Sequence, residues 1–149
     1  MIRIFTGIGL AVGGIGALVI LAVVIGMALP VKHQVSMRET FPVPAAKLWA
    51  MSVAIFHRTN NGMFAITETD PPHRLVTAIV GKNLPFGGTW TYEFVTIGEN
   101  TTLTVTERGE IYNPFFRFVS RFLMGYEGSL KTFFVTLCAD ARGDVPEEK

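Results

Sequence analysis

Thr89-Trp90-Thr91-Tyr92-Glu93-Phe94-Val95-Thr96-Ile97 alternates aromatic with polar side chains, and this stretch, paired with residues 101–111, decides the fold. At a period of two, Trp90, Tyr92 and Phe94 share one face of a strand while Thr91 and Glu93 share the other. Gly98-Glu99-Asn100 reads as a hairpin turn, and residues 101–111 answer with Leu103 and Val105 facing in and threonines facing out. Asn113 then offers an N-cap and Pro114 suits the first helical position. From Phe115, the residues Phe118, Val119, Phe122, Tyr126, Leu130, Phe133 and Leu137 keep a helical period to about Ala141. One continuous helix of that length is about 40 Å long at 1.5 Å per residue. Gly125 and Gly128 within it mark a bend, or a place where something approaches the backbone closely.

Working upstream, Val35, Met37, Glu39 and Phe41 alternate with Gln34, Ser36, Arg38 and Thr40, a half-buried strand ended by Pro42 and Pro44. A helix begins at Pro44 or Ala45 with Leu48, Trp49, Ser52, Val53 and Phe56 on one stripe, and Asn60-Asn61-Gly62 stops it. Residues 63–69 and 73–80 read as strands around the turn Asp70-Pro71-Pro72, with Phe64 and Ile66 on one face, and residues 81–88 form a loop. The order is strand, helix, a run of antiparallel strands, then one long helix. That is an α+β domain, a curved antiparallel sheet wrapped around a long C-terminal helix. One helix only partly fills so aromatic a sheet face, and such folds keep an apolar pocket between the two.

Before this domain, residues 4–31 carry no charge, a run of 28 in a chain that is 17% charged and 49% hydrophobic. A helix needs roughly 20 apolar residues to cross a bilayer core, so residues 4–30 are expected to form one transmembrane helix. A cleavable signal peptide, with Gly26-Met27-Ala28 as its cleavage site, is the rival. Its apolar region would be only about 7–15 residues, so an uncleaved anchor is the expectation. Gly9, Gly13 and Ala17 form a small-residue ladder that permits close helix–helix approach, and hence a homodimer. Arg3 at one end and Lys32, Arg38 and Lys47 beyond the other give little orientation bias. A very short basic amino terminus usually stays in the cytoplasm, which puts the domain outside it. Cys138 is the single cysteine and says nothing about redox compartment.

Of 13 Lys and Arg, only Arg3 precedes Lys32, whereas all 12 Asp and Glu come after it, so the rest of the chain balances 12 positive against 12 negative side chains. That excludes a nucleic-acid binder working by bulk charge, and a disordered charged tail. The organisation is an anchor at 4–30, a domain at 34–141 and a polar tail at 142–149.

Several stretches resemble one family. Phe41-Pro42-Val43-Pro44-Ala45 running into Leu48-Trp49 is similar to the first strand and helix of the START-like superfamily (SRPBCC, with Bet v 1-type helix-grip folds). Leu84-Pro85-Phe86-Gly87-Gly88-Thr89-Trp90-Thr91-Tyr92-Glu93 looks like the family's central strand. Thr102-Leu103-Thr104-Val105-Thr106-Glu107 and Asn113-Pro114-Phe115-Phe116-Arg117-Phe118 complete the likeness, which covers residues 34–140. The polyketide cyclase/dehydrase-like branch is the most similar. The resemblance implies a helix-grip fold and a pocket for an apolar ligand. It is specific for the fold and weak for any reaction. The stretch between the first helix and Thr67 is short for the family, which bears on pocket size.

Chemistry is sparse. His33, His57 and His73 share no spacing that would gather them for a metal, which needs three or four convergent ligands, and they read as exposed surface histidines. No nucleophile elbow, Cys–His pair or phosphate loop occurs. Strict alternation puts Glu107 on the inward face with Leu103 and Val105, and Glu39 with Met37 and Phe41. A carboxylate facing an apolar pocket is a candidate acid or base, and Glu107 is the weak catalytic candidate. Each also reads as a strand-end residue or as an ion pair with Arg108 or Arg38. Arg117 and Arg121, four apart on the last helix, could meet an anionic lipid headgroup, although Glu127 with Lys131 shows ordinary solvated charge there. The expected function is a membrane-anchored domain that binds a hydrophobic small molecule or lipid without a cofactor or metal. The expected lining is Trp49, Phe64, Phe86, Trp90, Tyr92, Phe94, Leu103, Val105, Phe122 and Tyr126. The alternatives are a cyclase/dehydrase-like enzyme and a protein-interaction module with a closed core.

Overall fold

The computed structural model describes residues 2–142, with side chains from Gly13 onward. The chain runs through α1 (Ile2–Ala28), β1 (Lys32–Phe41), α2 (Ala45–Thr59), β2 (Phe64–Asp70), β3 (Arg74–Ile79), β4 (Phe86–Ile97) and β5 (Asn100–Ile111). It closes with α3 (Pro114–Val119), a π-helical turn at Ser120–Met124, and α4 (Gly128–Arg142). The five strands form one antiparallel sheet in the order β1-β5-β4-β3-β2. Strand β5 shows why the pattern works. Thr101, Leu103, Val105, Glu107, Gly109 and Ile111 are buried at every second position, and the residues between them are exposed or half-buried. Over the buried face, α2 packs against α4, and Leu48, Leu103, Val105, Leu130, Phe134 and Leu137 make a sealed core. Ser52 is tolerated there because its hydroxyl donates to the Leu48 carbonyl one turn back, at 2.9 Å.

Four features differ from the sequence reading. The long final helix is broken in two: the Gly125 N–H bonds the Ser120 carbonyl five residues back, and Gly125 then adopts φ +74°. A π turn and then a left-handed glycine redirect the chain, so α4 restarts at Gly128. The buried stripe of α2 is Ala45, Leu48, Ser52 and Ile55, with Phe56 only half-buried. Glu39 is exposed although it shares the parity of Met37, because the inward alternation of β1 lapses there before resuming at Phe41. Strand β4 already begins at Phe86, within the expected loop.

Helix α1 packs on α3. A Cβ at Gly26 would collide with the Pro114 carbonyl oxygen, so only glycine permits this approach. Ala22, one turn earlier, is buried. Arg117 is also buried, donating from Nη1 to the Leu29 carbonyl (2.8 Å) and from Nη2 to that of Tyr112 (3.3 Å). It places a positive charge at the C-terminal end of α1, where the helix dipole favours one. Arg117 is therefore a clamp between helix and domain rather than a headgroup contact, which corrects its pairing with exposed Arg121. Among the described side chains of α1, Val23 and Ile25 are half-buried, while Ile15, Leu18, Ile20 and Met27 are all more than 60% exposed. Residues 13–28 are shorter than a bilayer crossing, and among the described residues no helix is long and apolar enough to cross a membrane. Gly9 lies outside the described side chains, while Gly13 and Ala17 are exposed.

The clamp makes a prediction. Gly26→Ala must push α1 away from Pro114 and is expected to cost about 1–3 kcal/mol, the usual range for overpacking. Gly16→Ala, where an added Cβ meets nothing within 4 Å, is the matched control. Thermal unfolding of the full chain in detergent micelles checks it: equal melting temperatures for the two variants would show that α1 is not docked.

Candidate functional site

The two halves of the broken helix frame a cavity of about 580 Å³ over the end of the sheet where β4 begins and β5 ends. The sheet contributes Trp90, Glu107, Gly109 and Ile111. The β2 end adds Phe64, the entry to β4 adds Pro85 and Phe86, and the helical side adds Phe116, Met124, Gly125, Tyr126 and Ser129. A space of this volume with mainly apolar walls is the size of a small-molecule site. It lies where the helix breaks, with Gly125 and Gly128, which carry no side chain, lining it together with the Trp90–Glu107 pair of the β4–β5 ladder.

One polar cluster stands at the base. Glu107 is buried, yet its carboxylate is well partnered: Trp90 Nε1 donates to Oε2 (3.0 Å), Ser129 Oγ donates to the same oxygen, and His33 Nε2 lies 3.4 Å from Oε1. The His33 ring stacks on Tyr126 with centroids 4.1 Å apart. It reaches this position by lying over Gly109, its partner across the β1–β5 ladder, where a Cβ would collide with the imidazole. A carboxylate has about four lone-pair sites. Three are engaged here, so Oε1 retains one that a donor in the cavity can use.

His33 is therefore not a surface histidine; its side chain is only 12% exposed. The signal is present in the sequence, because His33 has the parity of Val35 and Met37 and lies two positions before the first of them. His57 and His73 are exposed at the surface, as expected, and take no part in the cluster. Ser129 gives no sequence signal, since its role depends on where the helix restarts.

The expected lining residues separate into four groups. Phe64, Phe86, Trp90 and Tyr126 border the cavity. Tyr92 borders a smaller space of about 190 Å³ beside it, and Trp90 and Phe64 stand between the two. Phe94, Leu103 and Val105 are sealed in the core, and Trp49 is half-buried against it, so these four line nothing. Phe122 is 59% exposed, because the π turn rotates it out of its helical stripe. Burial pushes the Tyr92 phenol up to about 12; the Thr77 hydroxyl opposes this and the Glu107 charge adds to it.

No protein-family model matches the sequence, and no curated protein is similar to it. Solved structures do share the architecture. CalU16 from Micromonospora echinospora superposes with a TM-score of 0.57 at 15% identity, covering 78% of this chain and 78% of that one. A protein from Arthrobacter aurescens gives 0.55 at 10% identity, covering 77% and 88%. MLL2253 from Mesorhizobium loti gives 0.53 at 11%, covering 76% and 99%. The fold is a helix-grip. At these identities the likeness extends to the fold alone, and the helix-grip architecture leaves the chemistry of its cavity to the residues in it.

Proposed function

We propose that this domain binds an apolar or amphiphilic small molecule, a lipid among them, in the cavity between sheet and helices, and that residues 4–30 hold it at a membrane. The observation that carries the reading is an apolar-walled space of about 580 Å³ with a single buried polar cluster at its base. The apolar body of the ligand lies against Phe64, Phe86, Ile111 and Met124. Its polar end meets the remaining lone pair of Glu107 and the His33 ring. A closed interaction module would have no use for such a volume. For the anchor, the support is the uncharged run of 28 residues, to which residues 4–12 add the length that residues 13–28 lack.

A second reading is favoured by one observation: Glu107, His33 and Tyr126 form a contiguous chain beside the cavity, as an acid–base pair acting on a bound substrate would. Glu107→Gln separates the two. A binder should keep its affinity for a long-chain amphiphile within about tenfold, the worth of one hydrogen bond. A cyclase/dehydrase-like enzyme should lose about 10²–10⁴ in turnover. Native mass spectrometry of the full chain released from detergent, with fatty acid, sterol and isoprenoid alcohol offered in turn, is the direct assay. The absence of any co-purifying mass, together with failure to take up any of these, would sink the binding reading.

A further inference from the structure

The surface next to the α1 clamp is apolar and has nothing on it among the described residues. Phe116 is 47% exposed, Phe122 59%, and Leu123 and Met124 74% each, all within α3 and the π turn. Packed beside them is α1, whose Ile15, Leu18, Val19, Ile20, Leu21, Val24 and Met27 are exposed while Ala22 is buried against the domain. A helix apolar on all sides belongs in a protein core or in lipid, and no core surrounds this one among the described residues. Depth is set by the contact at Gly26. That residue is two positions before the end of α1 at Ala28, about 3 Å at 1.5 Å per residue, and the last uncharged residue, Val31, follows three positions later. The polar region of a bilayer leaflet is about 5–8 Å thick, so Pro114 and the segment after it sit at the boundary between headgroups and acyl chains. The charges fit that level. Arg121 is exposed on the π turn, and Lys32, 81% exposed, begins the domain directly after α1. Arg121 can reach a lipid phosphate, and so can Lys32, whose ammonium is 3.4 Å from Glu110 Oε1 but is largely in solvent.

We propose that the segment from Phe116 to Met124 is a second membrane contact, inserting Phe122, Leu123 and Met124 into the leaflet surface of a phospholipid bilayer. Because Phe116, Ser120 and Met124 also form the rim of the cavity, its mouth opens at the lipid surface. The fixed clamp of Arg117 and Gly26 sets this orientation, in contrast to a domain tethered by a free linker. The inference rests on residues 4–30 being an anchor.

The test uses the full chain with Cys138→Ser and one new cysteine at a time: Leu18→Cys, Leu123→Cys or Ile97→Cys. All three positions are exposed; Ile97, 71% exposed, is at the far end of β4, roughly 35 Å along the strand from Phe86. Each is labelled with an environment-sensitive fluorophore and reconstituted in vesicles of phosphatidylcholine and phosphatidylglycerol that contain nitroxide-labelled lipid. The expected result is loss of fluorescence at positions 18 and 123 and none at 97. Quenching at 18 with position 123 as bright as 97 would overturn the second contact and leave the anchor standing. No quenching at 18 would remove the anchor and the second contact together. A blue-shifted label at 123 that lipid nitroxides do not quench would put protein on this face, and would also overturn the proposal.

Discussion

Trp90→Ala is expected to lose most of the affinity for an apolar probe while costing less stability than Leu103→Ala. The two residues lie on neighbouring strands, but their surroundings differ. Leu103 is fully buried in the sealed core, so its truncation leaves a void and should cost about 3–5 kcal/mol. Trp90 is half-buried, with open volume on two sides and Phe64 edge-on at 5.2 Å. Its removal takes away fewer packed contacts, and Glu107 keeps Ser129 as a donor. The stability loss is then about 1–3 kcal/mol. For binding, an indole offers roughly 200 Å² of surface, and a third of it facing ligand at about 25 cal/mol/Å² is worth about 1.7 kcal/mol, or roughly fifteen-fold in affinity. Denaturant unfolding and probe titration on both variants read the two quantities. A Trp90→Ala variant as destabilised as Leu103→Ala, with probe affinity unchanged, would mean the cavity is a filled core and that the ligand-binding reading has no site.

Legibility in the sequence tracks the range of the forces involved. Strand β5 and its hairpin with β4 are readable because period-two alternation is a local property, and both the turn and the inward position of Glu107 come with it. The helix-grip order is readable because caps and breakers punctuate it at Pro42, Asn60 and Asn113. The remainder depends on geometry that no local pattern encodes. Phe122 lies on a good helical stripe, but one extra residue per turn at Ser120–Met124 rotates it to the surface. Arg117 looks like half of a basic face with Arg121, yet a tertiary contact with Leu29 buries it. The cavity itself lies where the helix breaks at Gly125 and restarts at Gly128 over Trp90 and Glu107, and the place of that break depends on tertiary packing rather than on a local pattern. His33 is within reach of the same alternation that finds Glu107, but a strand begun at Gln34 leaves it out by one residue.

The ionisation of Tyr92 offers a measurement on the same wall that needs no ligand. Its phenol is buried against Phe133 and beside Thr77, and burial raises it from an ordinary value of 10 to about 12. The folded state thus holds the proton that the unfolded chain gives up near pH 10. The stabilisation is fully present below pH 10 and is lost as pH rises from there through about 12. Two pKa units correspond to about 3 kcal/mol at the limit. Tyr92→Phe removes the titrating group and isolates its share, since every other phenol and amine is common to both proteins. Near pH 8 the variant should be less stable than the native chain by about 1 kcal/mol, the worth of the hydroxyl's bond to Thr77. As the pH climbs past 10 that difference should shrink, cross zero and reverse, leaving the variant the more stable protein near pH 12. Urea unfolding of the pair at several pH values from 8 to 12 measures the change. A difference that stays flat would show the hydroxyl reaching water, which would mean that Trp90 and Tyr92 do not close the smaller space beside the cavity.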